Sequence, residues 1–130
     1  MINKLINKIW KVDGMDYSDT PSNSKGTFNL YFGDQLIGIL AYDSSIWTFR
    51  YSEEYKENQN LKPIIDFPNP EKTYESEHLW PFFASRIPTL NQPFHLKKVR
   101  KAKIKVNDSV GLLRLFGNET ITNPFKLQPA

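Results

Sequence analysis

The side chains of this 130-residue chain that could do chemistry are scattered, not gathered. Close pairs of carboxylates occur as Glu53-Glu54 and Glu75/Glu77, and neither has a partner acid, base or nucleophile placed for general acid-base work. His78 and His95 lie 17 residues apart with no spaced carboxylate cluster, and there is no cysteine, so no zinc set, facial triad or thiolate site is expected. The six glycines form neither G-x-G-x-x-G nor a Walker sequence, and no H-R-D or D-F-G stretch occurs. A protein that binds without catalysing, and without a cofactor, is the expectation.

Two stretches are suited to recognition. Leu79-Trp80-Pro81-Phe82-Phe83-Ala84-Ser85-Arg86-Ile87-Pro88 packs three aromatics, one cation and two helix-stopping prolines into ten residues, too apolar for an ordinary surface loop. Trp80, Phe82, Phe83 and Arg86 are the candidate partner-binding residues, since Trp and Arg are enriched among interface hot spots. Phe82 and Phe83 cannot both point inward from a short helix unless they sit at its edge, so one of them is expected to anchor the core. Trp80 precedes a helix-starting proline, a corner where an exposed ring is sterically easy. The second stretch holds six cations in nine residues: Lys97, Lys98, Arg100, Lys101, Lys103 and Lys105. It reads as a solvated helix face or as a candidate contact for nucleic acid or an acidic surface. A net charge of only +3 argues against nucleic-acid binding as the main role.

The elements that must carry these residues follow from periodicity. From Thr27 the apolar period is two: Phe28, Leu30 and Phe32 alternate with polar neighbours, Gly33-Asp34-Gln35 supplies a turn, and Leu36 to Tyr42 returns. Asp43-Ser44-Ser45 makes a second turn before a third strand, Ile46 to Tyr51, with Trp47, Phe49 and Tyr51 on one face. Ser52 caps a short helical turn through Tyr55. Residues 58 to 74, with Pro63, Pro68 and Pro70, read as loop plus a short edge strand around Ile64-Ile65. A helix begins near Trp80 with Pro81 at its first position and carries Phe82, Phe83 and Arg86 on its body. Gln92 to Val106 is helical, with Leu96, Val99, Ala102 and Val106 near one face. Asp108 caps a last helix, Ser109 to Phe116, that Gly117 ends in the left-handed conformation, and Ile121 to Phe125 is loop or short strand. The fold class is α+β: a small antiparallel meander of three or more strands packed with two to four short helices.

Length suits one domain with a modest core, and aromatics at 14%, with nine Phe, six Tyr and three Trp, support folding over disorder. Residues 1–26 read as an N-terminal extension and linker, since Ile2, Leu5, Ile6 and Ile9 recur at helical spacing and Asp16 to Gly26 is rich in turn formers; residues 27–130 form the domain. Polar residues interrupt every apolar pair at the N-terminus, so neither a signal peptide nor a membrane span is expected, and a cytoplasmic location is the default.

Four blocks occur in an order shared with a known family. They are Phe28-Asn29-Leu30-Tyr31-Phe32-Gly33-Asp34-Gln35-Leu36-Ile37-Gly38-Ile39-Leu40, then Trp47-Thr48-Phe49-Arg50-Tyr51-Ser52-Glu53-Glu54-Tyr55, then the Trp80 to Pro88 segment, then Leu112-Leu113-Arg114-Leu115-Phe116-Gly117. Together they resemble the opening hairpin, F-x-Y-x-x-x-Y strand, P-F-F-x-x-L-L-P segment and L-L-x-x-x-G helix end of the small N-terminal subdomain of HipA-type serine/threonine kinases, over roughly residues 27 to 127. Ile87 stands where that family commonly has Leu, and Thr89-Leu90 replaces its Glu-Gly. A full kinase would continue well past Ala130, so the resemblance is to the standalone form, the HipS-type subunit of three-gene HipBST toxin-antitoxin modules. It implies a non-catalytic antitoxin or regulatory subunit acting on a HipT-like kinase at its N-lobe, with a HipB-like DNA-binding antitoxin as a further partner through the complex. The alternatives are a small basic nucleic-acid-binding domain and a purely structural subunit.

Overall fold

The computed structural model describes residues 25–118 and 124–130. The expected amphipathic segment at residues 1–10, most of the expected linker and the stretch 121–123 lie outside the described residues.

The alternation that starts at Thr27 produces β1 (Gly26–Phe32), β2 (Gln35–Asp43) and β3 (Ile46–Tyr51), an antiparallel meander. Gly33 has φ 62, as the first central residue of a two-residue hairpin loop allows. In the second hairpin Ser44 and Ser45 both have positive φ, the geometry of a type I′ turn. β4 (Tyr74–Ser76) pairs with β3 and β5 (Phe125–Pro129) with β1, which gives a five-stranded sheet in the order β4-β3-β2-β1-β5.

Register puts the large apolar residues in rows on one face. Phe28 pairs with Leu40, Leu40 with Phe49 and Phe49 with Tyr74. The next row runs Leu127, Leu30, Gly38, Tyr51. A bulge between Leu30 and Tyr31 lets Ile37, out of phase by parity, also be buried. Gly38 is required by the ring beside it: a Cβ there would lie 2.5 Å from Phe49 Cζ and 2.7 Å from the Arg50 carbonyl.

Among the described residues four short helices complete the α+β fold: α1 (Glu53–Glu57), α2 (Pro81–Ala84), α3 (Pro93–Lys101) and α4 (Ser109–Phe116). Ser52 caps α1 by accepting from the Tyr55 N–H at 3.0 Å, and Asp108 caps α4 by accepting from the Gly111 N–H at 3.1 Å. Val110 and Leu113 of α4 join the sheet core, while Leu112 closes a second cluster with Leu90 and Val99.

Four expectations need correction. The short edge strand is Tyr74–Ser76, not the Ile64-Ile65 run, because Ile64 to Phe67 closes into a turn with the Phe67 N–H on the Ile64 carbonyl at 2.8 Å. α2 is a single turn, so Arg86 lies past its end; Pro88 disfavours helical backbone at Ile87. α3 stops at Lys101, not Val106: Lys103 turns left-handed at φ 58, its N–H reaches the Arg100 carbonyl and the Ile104 N–H the Val99 carbonyl, a Schellman ending that leaves Ala102 exposed. Gly117 is right-handed at φ −76, and α4 ends by a different device described below.

Candidate partner-docking surface

α2 opens as the Trp-Pro pair demands. Trp80 is extended at φ −66 and ψ 147, as a residue before proline must be, and Pro81 occupies the first helical position, where its missing N–H costs nothing. The Phe82 N–H finds Asp66 Oδ2 at 3.4 Å. Phe83 then points into the sheet and is 0% exposed, 5.6 Å from the Phe49 ring and 6.0 Å from Phe67. Phe82 turns to the rim, edge-on to Phe83 at 5.1 Å and to Phe125 at 5.5 Å, and stays half-buried. Trp80 is also half-buried and meets Phe67 edge-on at 5.0 Å. Its ring is therefore partly packed against the core and does not stand free at the corner.

Arg86 is directed inward. At 4% exposure its guanidinium donates to the Gly117 carbonyl at 2.8 Å and the Phe125 carbonyl at 2.9 Å, with its carbon 5.9 Å from the Phe82 ring. Burial lowers its pKa from the ordinary value. The planar fork suits this double duty: a cation at the carbonyl end of α4 replaces the left-handed glycine ending, and the same group clips β5 to the domain. Of the four residues singled out in sequence, Phe83 and Arg86 are thus engaged within the domain, while Trp80 and Phe82 keep accessible surface.

The residue that sequence reading passed over is Ile65, 91% exposed. It rides on the proline-containing loop after α1, and three tyrosines fix that loop. The Tyr51 hydroxyl donates to the Phe67 carbonyl at 2.7 Å and accepts from the Ile64 N–H at 2.9 Å, the Tyr55 hydroxyl donates to the Leu61 carbonyl at 2.6 Å, and the Tyr74 hydroxyl accepts from the Asn69 N–H at 2.8 Å. Burial pushes the Tyr51 phenol well above its ordinary value, against the opposing pull of the Ile64 N–H. The turn bearing Ile65 is tied to α2 through the Asp66 carboxylate and the Phe67 ring. An exposed isoleucine on a turn tied to the helix that carries two half-exposed aromatics is apolar surface of the kind that marks a protein contact. The Ile64-Ile65 pair was visible in sequence, but only the turn splits it into one buried and one exposed side chain.

Lys97, Lys98, Arg100, Lys101, Lys103 and Lys105 are all exposed. Lys98 Nζ lies 5.4 Å from the Phe116 ring centre. A groove of about 390 Å³ is lined by His78, Leu79, Ala84, Ile87, Pro88, Thr89 and Ser109. Among the described residues no Asp, Glu, Lys or Arg lines it. Among the described residues no cluster of three His, Cys, Asp or Glu could hold a metal ion, and no helix is long and apolar enough to cross a membrane.

In structure the chain is similar to a solved chain described as the N-terminal domain of HipA toxin, at a TM-score of 0.55 and 21% identity, over 81% of this chain and 92% of that one. The chain matches no curated protein. At that identity the structural likeness speaks for the fold alone, and that fold is this sheet and these helices. The family model described as the HipA N-terminal domain matches residues 28–122, from the first buried phenylalanine of β1 to beyond the end of α4, and so the chain belongs to the HipA N-terminal domain family.

Proposed function

We propose that this chain is a non-catalytic subunit that docks on the N-lobe of a HipT-like serine/threonine kinase toxin and restrains it, as the antitoxin of a cytoplasmic bacterial toxin-antitoxin module. Residues 27–130 would be the docking domain, and a HipB-like DNA-binding antitoxin would join through the complex. The domain of this family is not itself the catalytic kinase domain. The observation that carries the reading is the accessible apolar surface of Ile65, Trp80 and Phe82, on a turn and a helix tied to each other and backed by aromatic packing, which together would form one docking ridge. Rigid rings lose little ordering entropy on binding, which is why such residues dominate interfaces. Kinase N-lobes depend on the placement of a glycine-rich loop and a Lys-Glu pair, so a domain seated there can favour the inactive arrangement, provided it contacts that arrangement better than the active one.

The contact is expected to bury on the order of 1,200 to 2,000 Å² in total. Calorimetric titration of the chain into such a kinase tests it with two variants. Ile65→Glu should leave thermal stability within about 0.5 kcal/mol, because the side chain touches little. Both Ile65→Glu and Trp80→Ala should weaken binding by about 2 kcal/mol or more and restore phosphorylation. Unchanged affinity in both variants would move the docking face elsewhere; tight binding with full kinase activity would leave a structural subunit.

A further inference from the structure

α3 leaves its cations exposed, Lys98 with its Nζ 5.4 Å from the Phe116 ring centre. Val99 is its buried residue, and Phe94, Lys97, Lys98 and Lys101 stand at i, i+3, i+4 and i+7, the spacing of one helical face. All four are exposed, Phe94 at 71%. Arg100 flanks this face, and Lys103 and Lys105 follow, exposed, at and beyond the Schellman turn. Among the described residues the ion pairs are Lys25 with Asp43 and Lys56 with Glu53, so no described carboxylate pairs with any of the six. From Leu79 to Asn118 the one carboxylate in the sequence is Asp108, which caps α4. The result is a stripe of one sign with an aromatic ring set in it.

That combination discriminates between acidic partners. Protein interfaces are depleted in lysine and enriched in arginine, and five of these six cations are lysines. Phosphate backbones are neutralised by such mobile point charges, and a ring left 71% exposed on the same face offers a stacking surface to a base. Duplexes keep their base faces stacked, so the ring is useful only to an unpaired strand. We infer that the Phe94, Lys97, Lys98 and Lys101 face of α3 binds single-stranded nucleic acid, with lysines on phosphates and a base against Phe94. The site lies on residues separate from the Ile65, Trp80 and Phe82 ridge, and its occupancy does not depend on a kinase.

The test is fluorescence anisotropy of a labelled oligothymidine of about 15 nucleotides titrated with the full chain. Between about 50 and 200 mM salt the log-log slope should be about −2, as three phosphate contacts on a single strand require. The triple variant Lys97→Gln, Lys98→Gln, Lys101→Gln should lose at least about tenfold in affinity at low salt and most of the slope, with melting temperature unchanged. Phe94→Ala should weaken binding about fivefold or more while leaving the slope intact. Equal binding by wild type and triple variant, or a slope near zero, overturns the site. So does a duplex of matched length binding as tightly as the single strand, which removes the role of the ring. Polyglutamate binding with equal affinity would make the face an acidic-protein contact and overturn the proposal as well.

Discussion

Trp80-Pro81-Phe82 and Gln92-Pro93-Phe94 are built on the same local plan. Each begins a helix with proline at the first position behind an extended cap residue that makes no side-chain hydrogen bond. Their fates are opposite. The first leads Phe83 into the centre of the core at 0% exposure, and the second leaves Phe94 71% exposed above a row of lysines. Proline and its neighbour set where a helix starts, through φ and a missing donor, but say nothing about which way it faces. What decides is the supply of apolar partners. α2 is followed by Ile87 and lies against Phe49 of the sheet and Phe67 of the loop after α1, whereas α3 buries only Val99 fully and His95 and Leu96 in part, among its cations.

The largest effect that contrast implies is at Phe83. Phe83→Ala opens a cavity against Phe49 and Phe67 and should cost about 3–5 kcal/mol in chemical denaturation; a loss below 1 kcal/mol would show that α2 is an appendage like α3. Next comes Arg86, where alanine strands the Gly117 and Phe125 carbonyls. A loss of about 2–3 kcal/mol is expected, with early hydrogen exchange in β5, and Arg86→Lys should rescue it only in part, since a point ammonium cannot span both acceptors.

Tyr51→Phe is expected to cost about 1–2 kcal/mol at neutral pH by leaving the Ile64 N–H and Phe67 carbonyl without their shared partner. It also has a signature in pH. Burial raises the folded pKa of Tyr51 above 10.0, and those of Tyr42 and Tyr55 in the same direction. A raised value favours the neutral phenol in the folded state, so this stability is complete below pH 10 and is lost as pH climbs from there toward the folded value. Wild type should therefore lose up to about 1.4 kcal/mol per pH unit for each such tyrosine above that point, and Tyr51→Phe should decline less steeply. The smallest effect sharpens the comparison from the other side: Phe94→Ala should change stability by no more than about 0.5 kcal/mol. A loss of several kcal/mol there would mean that α3 is packed as α2 is.

Period-two alternation made the meander legible, because side chains that alternate across a strand leave few other ways to cover Phe28, Leu40, Trp47 and Phe49. The caps at Ser52 and Asp108 were equally plain, since a side-chain oxygen three residues ahead of an orphan N–H acts locally. The exposed state of the six cations between Lys97 and Lys105 follows from charge alone. The rest depends on partners far away in the chain. Arg86 has the composition of an interface residue and became an internal clip because Gly117 and Phe125, 31 and 39 residues on, bring two carbonyls to it. Ile65 became the exposed point of the ridge because Tyr51 closes a turn beneath it. Residue type, alternation and caps are local quantities, fixed by a few neighbouring bonds, and the chain determines them unaided. Whether a given arginine or isoleucine faces inward or outward is set by which hydrogen-bond partners and apolar surfaces the folded chain brings within a few ångströms, and only the tertiary structure decides that.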